Sequence, residues 1–173
     1  REPLSMMNLF FFVRWLCENY SSDPTAEYLV DHREMWFVPI INPDGYGYNE
    51  TIAPTGGGMH RKNRRPNPDD SNCNSGTDQG VDLNRNYGYH WGPNYSGSSG
   101  NPCSGIYRGT SAFSEPETEA ISDFILARQF KNVLHYHTYS NVLIHSWGDG
   151  TFPDEPDLST LSEIGAEMTC ENG

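Results

Sequence analysis

Residues 35–45 read MWFVPIINPDG, seven residues of which only Pro39 is not a large apolar side chain, then Asn42-Pro43-Asp44-Gly45. A short run that is apolar on both faces predicts a central strand covered from two sides. The four residues after it predict a turn, because Pro43 presets φ and Gly45 accepts the positive φ that would follow. Reading outward from this strand decides the fold. Upstream, EPLSMMNLFFFVRWLCENY at residues 2–20 places apolar residues (Leu4, Met7, Phe11, Trp15) on nearly every face at helical spacing, which predicts a buried helix ending near Tyr20. Downstream, residues 50–80 are rich in Gly, Pro, Asn and Asp and predict a long irregular loop.

The next helix is expected to open at Ser114, with a capping box to Glu117 and an apolar stripe of Ala120, Ile121, Phe124 and Ile125. NVLHYH and NVLIHSW, at residues 132–137 and 141–147, read as buried strands or as one strand and its continuation. A last helix is expected from Asp157 to about Met168, with Leu158, Leu161, Ile164 and Met168 on one side. Strands alternating with helices require crossover connections, so the expected class is α/β: a mixed, mostly parallel twisted sheet with helices on both faces. No internal repeat is evident.

With 173 residues the chain is long enough for one sizeable core. Its net charge of −12 argues against nucleic acid as a partner, since phosphate binding needs a basic surface. The one basic cluster, at residues 60–65, reads equally well as a solvated loop. No stretch approaches the roughly 18 apolar residues of a membrane span. Three sequons, at Asn19, Asn49 and Asn94, tilt the expected compartment toward secretion.

In open α/β sheets, ligands sit at the carboxyl ends of the strands. Three polar groups fall there: the turn after Ile41, the segment Asp82-Leu83-Asn84-Arg85-Asn86, and His135-Tyr136-His137. Asn84 and Arg85 offer an amide and a guanidinium side by side, a pair suited to gripping a carboxylate from two directions. His135 and His137 share a face of a strand and read first as a mutually satisfied pair. A zinc site would need roughly three protein ligands. Glu2 is another candidate ligand, although a carboxylate in a first helical turn is stabilised there by the helix terminus alone.

Taken together, Arg1-Glu2, NPDG at 42–45, RKNR at 61–64, VDLNRN at 81–86, SEPET at 114–118 and HTYS at 137–140 resemble, in order and spacing, the zinc metallocarboxypeptidases of the pancreatic A/B type. The resemblance implies a zinc carboxypeptidase-like fold and an exopeptidase that removes the C-terminal residue of peptides and proteins by metal-activated water attack. It implies Glu2 and His137 as ligands of one zinc ion. Arg61 would polarise the scissile carbonyl, and Asn84 and Arg85 would clamp the terminal carboxylate. Arg1 and Tyr139 would line subsites on the acyl side, and Asp82 would orient a histidine ligand from behind. His135 matches no ligand position.

The resemblance places that histidine two residues before Arg1, and the general-base glutamate and a mobile tyrosine after Gly173. The chain is therefore expected to be the central part of a single catalytic domain, incomplete at both ends. An inactive relative that binds C-terminal carboxylates is the alternative. A disulfide between Cys73 and Cys103 is implied as well, while Cys17 and Cys170 lie on different helices and their state stays open. The remaining expectations are a secreted, extracellular or lumenal glycoprotein, monomeric, with peptide C-termini as substrate. The rim at Trp147-Gly148-Asp149-Gly150 leans toward apolar or aromatic terminal residues.

Overall fold

The computed structural model describes residues 3–67, 73, 79–92, 97–140, 142–148 and 150–170. Arg1, Glu2, Asp149 and the sequon at Asn94 lie outside the described residues. The chain forms two compact units, residues 1–138 and residues 139–173.

The first unit carries four α-helices among its described residues: α1 (Pro3–Asn19), α2 (Pro24–His32), α3 (Pro43–Ile52) and α4 (Pro116–Arg128). Helix α1 stands where the apolar spacing predicts it, but it is not buried. Leu4 and Phe11 are 65% and 60% exposed, and only Leu16 is fully enclosed. Among the described residues α1 packs on α2 and, through Phe12, on Phe37. Pro3, Ser5, Met6 and Leu9 line a cleft of this unit, and Leu4, Met7, Phe10 and Phe11 are exposed.

Helix α2 has no counterpart among the sequence expectations. Its start is nevertheless written in Asp23-Pro24. The Asp23 carboxylate accepts from the N–H groups of Thr25 and Ala26, at 2.7 and 3.2 Å, and proline occupies the first turn, where its missing N–H costs nothing.

The stretch Asn42-Pro43-Asp44-Gly45 is a helix start rather than a turn. Asn42 caps α3 by accepting from Gly45 N–H at 2.9 Å, and its amide donates to the Lys62 carbonyl at 3.0 Å. Gly45 is required for closeness and not for a positive φ, since a Cβ there would lie 2.6 Å from that carbonyl. The capping box at Ser114 also gives way. The cap position is Glu115, with no side-chain cap bond, and the Ser114 hydroxyl donates instead to the Glu115 carboxylate at 2.7 Å. Ile121, Phe124 and Ile125 are half-buried as the stripe predicts, while Ala120 is exposed.

No strand occurs among the described residues. One isolated parallel bridge pairs Ser99 with Tyr107. Residues 35–42 and 132–137, expected as strands, have no hydrogen-bonded neighbour strand among the described residues. A ladder needs a partner's N–H and C=O groups as well as the right side chains.

The interior of this unit is more polar than apolar. Leu16, Ala26, Val81, Leu83 and Tyr107 are its buried apolar members, accompanied by Lys62, Asn63, Asp82, Asn86, Glu115 and Thr118. The Cys73–Cys103 disulfide is formed and closes a separation of 30 residues. Cys17 is an exposed thiol.

The second unit holds α5 (Asp157–Thr169), close to its expected bounds, with Leu158 and Leu161 half-buried and Ile164 and Met168 exposed. Gly165 faces the Leu143 side chain, and Cys170 is an exposed thiol. Among the described residues no helix is long and apolar enough to cross a membrane.

Candidate active site

Two motif segments meet in the first unit. Asn63 N–H donates to the Val81 carbonyl at 2.9 Å, and the Asn63 side chain accepts from Val81 N–H at 2.8 Å, so residues 61–64 and 81–86 run as neighbours. Gly80 makes this approach feasible. Its φ is +93°, and a Cβ there would lie 2.0 Å from the Asn63 carbonyl oxygen. Asp82 N–H then donates to the Tyr107 carbonyl at 2.8 Å, and Leu83–Arg85 close into a single 3-10 turn.

The buried members of these motifs hold the backbone. The amide of Asn63 donates to the fully buried Glu115 carboxylate at 2.7 Å, and Arg65 meets the other oxygen of that carboxylate at 2.8 Å. Asn86, also fully buried, shares its amide hydrogens among the Arg108 and Ser111 carbonyls and the Ser114 hydroxyl. Its oxygen accepts from Glu115 N–H at 3.2 Å and from the Thr118 hydroxyl at 2.6 Å. The start of α4 is thereby bolted to the turn that carries Asn84 and Arg85. Lys62 is 1% exposed, and its ammonium donates to the Pro102 and Ser104 carbonyls at 2.8 and 3.1 Å.

The outward members gather around Asp82. Its carboxylate, 3% exposed, accepts from Arg61 Nη2 at 2.6 Å and lies 3.6 Å from Arg85 Nε. Neither Arg61 Nε nor Arg85 Nε makes a hydrogen bond among the described residues, although both atoms are shielded from solvent. One buried anion thus holds two cations that are each about a third exposed. The pairing of Asp82 with Arg61 was not signalled by the sequence, which gave Asp82 a histidine to orient.

Arg61, Asp82, Asn84 and His137 line one cleft of about 290 Å³, with Asn42 and Tyr87 among its walls. Arg85 is not among the residues that line it, and its Nε stands 3.6 Å from the Asp82 carboxylate. His135, which matches no ligand position of the family resemblance, lines the same cleft. Loss of solvation, and then the neighbouring His137, push its pKa below the usual histidine value. Burial pushes the Tyr87 hydroxyl above its usual value.

Among the described residues no three His, Cys, Asp or Glu side chains come together as a metal-holding group. The imidazoles of His135 and His137 are the nitrogen donors that the cleft offers together with His60. Glu2 and Arg1 lie outside the described residues. Tyr139 belongs to the second unit and is 90% exposed.

A family profile described as zinc carboxypeptidase matches residues 1–171. A zinc carboxypeptidase of Simulium vittatum is 39% identical over 156 residues, covering 87% of this chain and 47% of the relative. Carboxypeptidase A1 of Rattus norvegicus is 30% identical over 165 residues, covering 95% of this chain and 36% of the relative. Among solved structures, bovine thrombin-activatable fibrinolysis inhibitor, in complex with tick carboxypeptidase inhibitor, superposes with a TM-score of 0.66 at 31% identity, over 92% of this chain and 49% of that one. The fold it shares with such structures is the α/β carboxypeptidase fold. The chain spans between a third and a half of the length of the curated relatives it matches.

Proposed function

The chain belongs to the zinc carboxypeptidase family, and from that premise we propose that it is the central part of a single catalytic domain whose whole acts as a zinc-dependent exopeptidase on peptide and protein C-termini. Around it we expect the mixed, mostly parallel sheet, which would give residues 35–42 and 132–137 their ladder partners. The intact protein is proposed to be monomeric and secreted.

The observation that carries this reading is the arrangement at Asp82, where Arg61 and Arg85 share one buried carboxylate while their side chains stay 30% and 34% exposed. Such cations are drawn to anionic groups, and a guanidinium presents its N–H groups in a fork that matches a carboxylate. A C-terminal carboxylate would be gripped by Arg85 and the exposed amide of Asn84. Arg61, next to it on the cleft wall, would donate to the carbonyl oxygen of the scissile bond, where negative charge develops during attack.

His137 and Glu2 are donors of the type zinc takes, and they would hold one ion together with a further ligand that the described residues do not supply. When bound, zinc supplies a Lewis acid and an acidified water. Arg1 and Tyr139 are assigned to the acyl-side subsites, and the terminal side chain is proposed to be apolar or aromatic.

The test uses the full-length protein and paired peptides with free or amidated C-termini. The free acid should be hydrolysed at least a hundredfold faster by kcat/KM. Arg85→Ala should remove most of that difference, about 2–4 kcal/mol for an unpaired charge in a desolvated site. Equal turnover of both peptides would refute the exopeptidase reading. Tight binding of free C-termini with no turnover by zinc-loaded protein would leave a binder in its place.

A further inference from the structure

The two sequons with described asparagines differ in how many of the carboxamide's two hydrogens the folded protein uses, and so in whether the fold can accommodate a sugar. An N-linked glycan is transferred from a lipid-linked oligosaccharide pyrophosphate. The sugar C1–O bond to phosphate breaks, a C1–N bond to the side-chain nitrogen forms, and that nitrogen loses one of its two hydrogens as a proton. The remaining hydrogen is the only one the folded protein can still use.

Asn49 needs both. Its Nδ2 donates to the Gly45 carbonyl at 3.2 Å and to the His60 carbonyl at 2.7 Å, while its oxygen accepts from His60 N–H at 2.8 Å. The residue is 9% exposed, and Gly58 lies so close that a Cβ there would stand 2.5 Å from the Asn49 oxygen. A sugar on Asn49 would orphan one buried carbonyl and would have no volume to occupy.

Asn19 needs one. It is the last residue of α1, and its Nδ2 donates to the Trp15 carbonyl at 2.9 Å, a bond that uses a single hydrogen. Its own carbonyl accepts from the N–H groups of Ser22 and Asp23, at 3.0 and 2.9 Å. The turn so formed leaves Tyr20, Ser21 and Ser22 exposed around the half-buried asparagine.

We infer that Asn19 is an attachment site for an N-linked glycan and that the fold closes Asn49 to one. Transfer happens as the chain emerges, before folding, so the closure at Asn49 acts as a filter. Chains modified there do not reach the folded, secreted pool. The inference rests on the secretory part of the proposed function, and the experiment supplies that part artificially.

The full-length protein, routed through insect cells behind an added leader, would be collected from the medium and treated with peptide N-glycosidase in heavy-oxygen water. Peptide mapping then reads each asparagine separately. The label is expected at Asn19 and absent from Asn49. Ser21→Ala, which leaves the Asn19–Trp15 bond intact, should abolish the Asn19 label and its gel shift. Thr51→Ala, which leaves the Asn49 bonds intact, should leave the shift unchanged and raise the yield of secreted protein, since no chain is then lost to modification there. Labelled Asn49 in folded, secreted material, or Asn19 without label, would overturn the inference. The readout does not depend on peptidase activity, so an inactive protein would refute the functional proposal and leave this one standing.

Discussion

Replacing Asn86 by alanine should destabilise the protein strongly, and the loss can be worked out bond by bond. The side chain is fully buried. Alanine removes three donated contacts, to Arg108, Ser111 and Ser114, and two accepted ones, from Glu115 N–H and Thr118. Most of the partners keep a second bond. The Arg108 carbonyl still receives Trp91 Nε1 at 3.1 Å, and the Thr118 hydroxyl lies 2.9 Å from the Glu115 carbonyl. Glu115 N–H, at the start of α4, has no other acceptor among the described residues.

One orphaned buried N–H costs about 1–3 kcal/mol, and the four weakened contacts add about 0.5–1 kcal/mol each, so the total falls near 3–7 kcal/mol. With a urea slope of about 2 kcal/mol per molar, the midpoint of the full-length protein should fall by about 1.5–3.5 M at unchanged slope. Thr118→Val should cost about half as much and Thr118→Ser very little. A midpoint for Asn86→Ala within about 0.4 M of wild type would refute the claim that this polar core holds the fold.

Gly80→Ala should cost more than about 2 kcal/mol, because it combines a φ of +93° with a Cβ driven to 2.0 Å from the Asn63 carbonyl oxygen. A thermal melt within a degree or two of wild type would show that the loop simply moves aside. Replacing Cys73 and Cys103 together by serine opens a loop of 30 residues and should lower stability by roughly 3–4 kcal/mol in the chain-entropy account, read from urea midpoints. In the full-length protein, His137→Ala should abolish stoichiometric zinc by elemental analysis, whereas His135→Ala should retain it. The reverse result would exchange the roles of the two histidines.

What was legible in the sequence is what local chemistry decides. Helices α4 and α5 could be placed because their apolar residues recur every three to four positions, and α1 because its run leaves no room for a breaker. Burial of α1 was not legible, since it depends on what covers Leu4 and Phe11 rather than on their own character. Asn42-Pro43-Asp44-Gly45 carries both a turn and a helix start in its composition. The choice was made by a contact 20 residues away, from the Asn42 amide to the Lys62 carbonyl. Helix α2 escaped because its apolar stripe is thin, with only Ala26 enclosed, although its cap was in plain view. Strand pairing failed to be legible for the same reason that it is slow to fold, namely that the partner is non-local.

At the site, the motifs themselves were legible, but the division of labour inside them was not. In RKNR, Arg61 reaches the cleft while Lys62 and Asn63 turn into the interior. In DLNRN, Asn84 is exposed and Arg85 partly so, while Asp82 and Asn86 are buried. The inward residues explain why the outward ones can be useful. A free arginine loses about 2 kcal/mol of rotamer freedom on being fixed by a ligand. Arg61 and Arg85 have already lost part of theirs to Asp82, whose own position is set by a backbone bond to Tyr107 and by the turn that Asn86 ties to α4. An anion arriving at these guanidiniums therefore meets donors already held in place, and less of its binding energy is spent on ordering them. On this reasoning the polar core and the proposed carboxylate clamp are one construction, and, if the proposed exopeptidase activity holds, a substitution such as Asn86→Ala should raise KM for free C-termini under conditions where the protein is still fully folded.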